Sequence, residues 1–446
     1  MRSLISFILL SLMVLPSYAQ NSDGPGGKMP GYDIKVVADE IDAPVLYLVG
    51  YYGYEYYKFD SAKVKAHTTA RFVSKKKYMP DGLYALTFSN MMPVTFLVIE
   101  HSRVFTVKCH KLDETFPLTS SVEGSDENAA LFQFDRAMMN PESDTRQLAL
   151  TVYESMPESL LGMYLKYIYC LNPSALKAFE RNDTTLLSDR QVMEWSLDAY
   201  NYNDVRMLFS GYGLSLKQFF WETLPQDGDT LFYQADRILK RFTEQESYEF
   251  YLNEMLSVFD RGINNVEYDK ALVLLFDAHC KDKTFATLSP DLMKYYARTV
   301  EYKRRLLIGT PVPPLVCPGA NGITVASTSV KKPFVLLWFW DPDCDDCVEL
   351  TPKLHDLYVE YGDTYGFEVY AVGMTDDVEK WNLFVLKNQL SWINVCPSIE
   401  DSNYDYFDYF NIITTPVLFV LDNQHTIIAR PSSLDDLLSW LIDHQK

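Results

Sequence analysis

The stretch Phe334-Val335-Leu336-Leu337-Trp338-Phe339-Trp340-Asp341-Pro342-Asp343-Cys344-Asp345-Asp346-Cys347 decides how the rest of the chain is read. Its apolar run has the length and composition of a strand buried on both faces. The Asp-Pro-Asp turn ends that strand, and a helical pattern starts at Asp345 and continues to about Tyr361. The two cysteines therefore lie at a strand exit and a helix start. Partial positive charge at a helix N-terminus favours the thiolate of the first cysteine, and the thiolate is the reactive species. A second cysteine three residues on can resolve a mixed disulfide by intramolecular attack. Half a zinc site and an inert structural bridge are the other readings of such a pair. Zinc needs further ligands, yet no second Cys-x-x-Cys is present, and His355 is too far along the same helix to close a site. No metal is expected.

Working outward, strands and helices alternate towards the C-terminus. The pattern predicts a strand at Phe367–Val372, a helix at Asp377–Gln389 and a short strand at Ile393–Val395. A helical segment near Tyr404–Phe410, a strand at Val417–Leu421 and a turn at Asp422-Asn423 follow. A strand at Thr426–Ala429 and a terminal helix capped by Ser432 or Ser433 close the chain. Alternation ending in a hairpin implies a mixed sheet covered on both faces, an α/β domain. Upstream, Pro311, Pro313 and Pro314 make a stiff connector, and Gly319–Gly322 reads as a hairpin turn.

Residues 125–307 keep a 3.6-residue period and read as all-helical, with Ser125-Asp126-Glu127 offering cap chemistry at the start. Residues 33–120 contain short runs such as Val45–Val49, Ala85–Phe88 and Val94–Ile99, rich in β-branched and aromatic residues and split by turn residues. They predict a small all-β sandwich or barrel. Its Tyr clusters read as strand faces. The expected layout is a multidomain chain: 1–19 leader, 20–32 linker, 33–120 all-β, 125–307 all-α and 308–446 α/β.

The leader assignment rests on Arg2, the apolar Leu4–Leu15 run, Pro16, and small residues at Ser17 and Ala19. The run is shorter than the ~20 residues that span a bilayer. Cleavage after Ala19 and a soluble exported protein are expected. The 446 residues carry 40 Lys plus Arg against 60 Asp plus Glu, a formal charge of -20. Such a surface repels phosphate backbones, so no nucleic-acid partner is expected. The cysteines (Cys109, Cys170, Cys280, Cys317, Cys344, Cys347 and Cys396) are sparse and odd in number, unlike a disulfide scaffold.

The stretch Trp338–Cys347 resembles the active-site strand and turn of thioredoxin-like proteins. Pro352 matches the proline of that family's active-site helix, and Thr415-Pro416 before a strand looks like its cis-proline loop. The distance from Cys347 to Pro416 leaves room for an extra helix and strand, as in the TlpA/ResA group of envelope reductases. The whole layout, including the phrase Gly124-Ser125-Asp126-Glu127-Asn128, is similar to a recurring bacterial envelope architecture. The resemblance implies a thiol–disulfide oxidoreductase of the periplasm or cell envelope. Cys344 would attack and Cys347 resolve. Thr415, Pro416, Trp340 and Asp343 would dock the substrate, and Pro352 would kink the helix.

Protein thiols and disulfides would be the partners, reduced with electrons from a membrane donor, with no organic cofactor or metal. The sequence departs from the family at two points: Trp338 stands where thioredoxin has a buried Asp, and Leu350 where the TlpA/ResA group often has Glu. Asp343, Asp345 and Asp346 oppose a thiolate, which favours a better reductant and a poorer nucleophile. A peroxiredoxin would need a Pro and a Thr or Ser upstream of the cysteine, and neither is in place. The rival reading is a non-catalytic envelope binding or scaffold protein with a structural Cys344–Cys347 bridge.

Overall fold

The protein is described by a computed structural model covering residues 31–444, apart from 54, 76, 89–92, 112–119, 167–187, scattered positions between 189 and 222, 262–264 and 400–405. The expected leader, most of the linker and Cys170 lie outside the described residues. The chain divides into two compact units. One holds the described residues up to Leu224 with Arg237–Met255 and Phe285–Leu288. The other holds Pro225–Asp236, Leu256–Thr284 and everything from Ser289 onward. The 125–307 block is thus distributed over both.

The N-terminal strands are β1 (Tyr32–Glu40), β2 (Val45–Tyr52), β3 (Glu55–Lys63), β4 (Thr69–Ser74), β5 (Gly82–Thr87), β6 (Pro93–Ile99), β7 (Val104–Lys111) and β8 (Ser121–Glu123). They form two four-stranded sheets, ordered β4-β1-β7-β8 and β3-β2-β5-β6. Alternation in β1 sends Tyr32, Ile34, Val36 and Ala38 inward. Tyr32 links the sheets through its ring against Phe59 and its hydroxyl, which donates to Asp60 at 2.8 Å. The β1–β7 pairing is parallel, a crossover the local strand signals do not encode.

Helices follow: α1 (Asp126–Met138), α2 (Thr145–Ser155), α3 (Leu160–Leu165), α4 (Gly228–Leu239), α5 (Gln245–Asp260), α6 (Val266–His279) and α7 (Pro290–Arg305). The phrase Gly124–Asn128 earns its residues at the start of α1. Gly124 takes φ +90°, and Ser125 caps the helix by accepting from Asn128 N–H. Glu127 accepts from Ser102 N–H at 2.8 Å. The Asn128 amide bonds both the N–H and the carbonyl of Val98, at 2.8 and 2.7 Å, so the edge strand β6 is closed by a side chain.

The C-terminal part opens with a hairpin, β9 (Val316–Pro318) and β10 (Thr324–Ala326), turning at Gly319–Gly322 as expected. Next come β11 (Phe334–Trp340), α8 (Asp345–Tyr361), β12 (Phe367–Gly373), α9 (Val378–Lys387), β13 (Ile393–Val395), α10 (Tyr406–Phe410), β14 (Val417–Asp422), β15 (Ile427–Ala429) and α11 (Leu434–Asp443). The sheet runs β13-β12-β11-β14-β15. Strand β11 is central, parallel to β12 and antiparallel to β14, giving the mixed sheet the alternation predicts. One face of β11 enters the cluster of Leu336, Trp338 and Trp340, the other that of Val335, Leu337 and Phe339. The chain is therefore multidomain, with β strands first, helices in the middle and an α/β domain at the C-terminus.

Helices α6 and α7 are joined to this α/β sheet by charge. The buried Asp269 carboxylate on α6 takes Lys303 Nζ of α7 at 2.5 Å and Arg430, just after β15, at 2.9 Å. Removing one partner of a buried ion group strands the others. Asp269→Asn should therefore lower unfolding stability by roughly 3–5 kcal/mol. A chemical-denaturation midpoint equal to that of the parent protein would contradict this account of Asp269.

Candidate active site

Strand β11 ends at Trp340, whose carbonyl accepts from Met374 N–H at 2.7 Å. That bond extends the pairing with β12 just beyond the strand. The chain then turns tightly. Asp341 Oδ1 accepts from Asp343 N–H at 2.8 Å, and the Asp341 carbonyl accepts from Cys344 N–H at 3.1 Å. This Asx-type turn delivers Cys344 to the N-cap of α8 in extended geometry (φ -90°, ψ 117°). The first turn of a helix needs acceptors for its free N–H groups. Here the acceptor is Cys344 Sγ, 3.2 Å from Cys347 N.

The same sulfur donates towards the carbonyl of Thr415 at 3.2 Å. The Thr415–Pro416 bond is cis, immediately before β14. Cys344, Cys347, Thr415 and Pro416 are thus brought together at the ends of β11 and β14. Cys344 is half-buried and Cys347 is 0% exposed. Burial pushes the Cys347 thiol up to about 12. Its bond with Cys344 adds to the shift, while Thr415 and the Asp341 backbone pull weakly the other way.

Two expected residues stand apart from this cluster. Trp340 is fully buried and packs on Phe384 of α9 with ring centroids 5.0 Å apart. Its side chain offers no surface for docking. Asp343 is exposed and ion-paired with Lys380 of α9. That pair neutralises one of the acids near Cys344, whereas Asp345 and Asp346 stay exposed on the first turn of α8. Pro352 lies inside α8, where it cannot donate to the Val348 carbonyl. His355 lies further along α8, where its Nε2 accepts from Ser391 N–H at 3.0 Å. Among the described residues no group of three or more His, Cys, Asp or Glu is arranged to hold a metal.

Thr351 and Lys380 were not anticipated from sequence. Trp338 Nε1 donates to Thr351 Oγ1 at 3.0 Å, an indole–hydroxyl bond inside the core cluster that also holds Cys347. Thr351 follows Cys347 by four residues, a same-face spacing that could have flagged it. Lys380 had no local signal, because the parallel β11–β12 pairing is what brings α9 to the turn. Leu350 packs half-buried on the cluster that contains Cys347, and the neighbouring Glu349 pairs at the surface with Lys353 at 2.7 Å.

Fold and dithiol together define a thioredoxin-like domain, and residues 333–427 match the family model described as Thioredoxin-like. Among solved structures, the chain is similar to a domain of a possible thiol-disulfide isomerase from Cytophaga hutchinsonii. The identity is 30%, the TM-score 0.29, and the match covers 31% of this chain and 92% of that one. It is similar to the thioredoxin domain of a thiol-disulfide oxidoreductase from Bacteroides vulgatus at 24% identity and TM-score 0.29, covering 31% and 98%. A longer match, 64% of this chain and 93% of the other, is to a thioredoxin-like protein from Bacteroides caccae at 14% identity and TM-score 0.41. No curated protein matches the chain. No helix among the described residues is long and apolar enough to cross a membrane.

The contrast in exposure gives a direct test. Alkylation of the reduced native protein at pH 8 should label Cys344 and spare Cys347 by at least about tenfold in rate, because Cys347 is enclosed and burial pushes its thiol up to about 12. Peptide mapping that finds equal labelling of the two would contradict the described burial.

Proposed function

We propose that the chain is an exported thiol–disulfide oxidoreductase that reduces protein disulfides through Cys344 and Cys347. One observation carries the reading. The Cys344 sulfur lies between the Cys347 N–H and the Thr415 carbonyl, so the attacking atom, the resolving residue and a backbone docking edge meet at one point. Cys344 attacks, Cys347 resolves, and the Thr415-Pro416 backbone aligns an extended substrate segment. Pro352 bends the helix that carries the pair. Asp343 contributes through Lys380, and Trp340 only as packing under the turn.

The reducing direction is supported by Asp345 and Asp346. Both acids are exposed on the first turn of α8, one and two residues from Cys344, and negative charge beside a dithiol generally favours its oxidised form and makes the pair the better electron donor. Activity outside the cytoplasm, after loss of the leader near Ala19 and with electrons from a membrane donor, completes the proposal.

With dithiothreitol as electron source, the protein should accelerate insulin reduction, and Cys344→Ser should abolish the acceleration. Cys347→Ser should retain a covalent partner on Cys344, identifiable by mass spectrometry. If the parent protein leaves insulin untouched and Cys347→Ser holds no partner, the enzyme reading fails. Replacing both acids, Asp345→Asn with Asp346→Asn, should raise the dithiol fraction several-fold at a fixed glutathione ratio. An unchanged fraction would remove the argument for direction.

A further inference from the structure

We propose that this site stalls at the mixed disulfide: Cys344 captures a substrate sulfur, and Cys347, enclosed without a carboxylate base, releases it slowly. The inference rests on the thiol–disulfide function proposed above and adds a kinetic character to it.

The chemistry has two displacements. In the first, the Cys344 thiolate attacks one sulfur of the substrate disulfide. The substrate S–S bond breaks, and its other sulfur leaves as a thiolate that takes a proton from solvent. In the second, the Cys347 thiol must lose its proton before its sulfur attacks Cys344 Sγ. The mixed bond then breaks, the remaining substrate sulfur leaves and is protonated, and two electrons have passed from the dithiol to the substrate. The first step needs a proton removed from a half-exposed sulfur, the second from a fully enclosed one.

Each element packed around Cys347 withholds a base. From β11 come Trp338, whose N–H is committed to Thr351, and the buried Trp340. On α8 itself, Thr351 accepts that bond and Leu350 is apolar, while Asp345 and Asp346 are exposed on the first turn. In the turn before α8, the Asp341 carboxylate is held by Asp343 N–H, and Asp343 is taken by Lys380. From α9 come Trp381 and Phe384, with Asp376 and Asp377 exposed just ahead of that helix. The Thr415 loop presents a carbonyl already bonded to Cys344. Cys396, after β13, lies in the same core as another buried thiol. Among the described residues no carboxylate of 333–427 is buried. Burial also pushes the Cys347 thiol up, so little of it is thiolate at neutral pH.

The test uses the reduced full-length protein mixed with oxidised glutathione, quenched in acid at intervals and mapped by mass spectrometry. The glutathione adduct on Cys344 should accumulate at pH 7. It should then convert to the Cys344–Cys347 disulfide about tenfold faster for each pH unit up to 10. Leu350→Glu places a carboxylate one turn from Cys347 and should speed the conversion at pH 7 by about tenfold or more. If that variant does not fold, the pH series of the parent protein decides alone. An adduct that resolves at pH 7 as fast as it forms, or a conversion rate flat across pH, overturns the proposal. If neither adduct nor internal disulfide forms at any pH, the dithiol reading fails beneath it, a result distinct from fast resolution.

Discussion

A helix that begins at the end of a buried strand must find acceptors for its first N–H groups in a place where water is scarce. At α8 the acceptor is a sulfur. Cys344 Sγ caps the helix through Cys347 N–H, and the extended backbone this requires is prepared by the Asx turn at Asp341. The geometry that closes the helix end is therefore the geometry that leaves Cys344 Sγ half-exposed. Strand β11 fixes the position of that end because it is paired on both sides and buried on both faces.

The second consequence concerns polarity. A cap made by sulfur places one thiol at the surface and, one turn later, another beneath it. The core that receives the second is built from Trp338, Trp340, Leu354 and Trp381 and contains little that can accept a proton. Two of its indoles, on Trp340 and Trp381, bury N–H groups that find no partner among the described residues. Acids gather instead on the rim, at Asp341, Asp343, Asp345 and Asp346, where Lys380 pairs with Asp343. Charge outside and apolar packing inside are thus separated across a single helical turn.

Much of this could be read from the residues. The apolar run 334–340, its turn and the helix start are local features, and α8 begins and ends where its pattern predicts. The alternation that follows is likewise local, so the mixed sheet was legible. The parallel β1–β7 pairing was not, since nothing in either strand encodes a partner so distant in sequence. Trp340 was misplaced for a related reason. An aromatic beside a reactive turn looks like a docking surface, but strand alternation gives it the same inward face as Trp338. Lys380 was missed because ion pairs between sequentially remote helices and turns depend on topology alone.

The carboxylate of Asp269 has a consequence for how the molecule can be divided. Arg430 sits just past β15, within the α/β domain, yet its anion lies on α6 and its guanidinium also reaches the Leu306 carbonyl. A fragment cut at the proline connector would keep the dithiol and every strand of the sheet but leave that guanidinium facing an emptied socket. The border of a piece that keeps this cation paired therefore runs through the helices upstream of the connector.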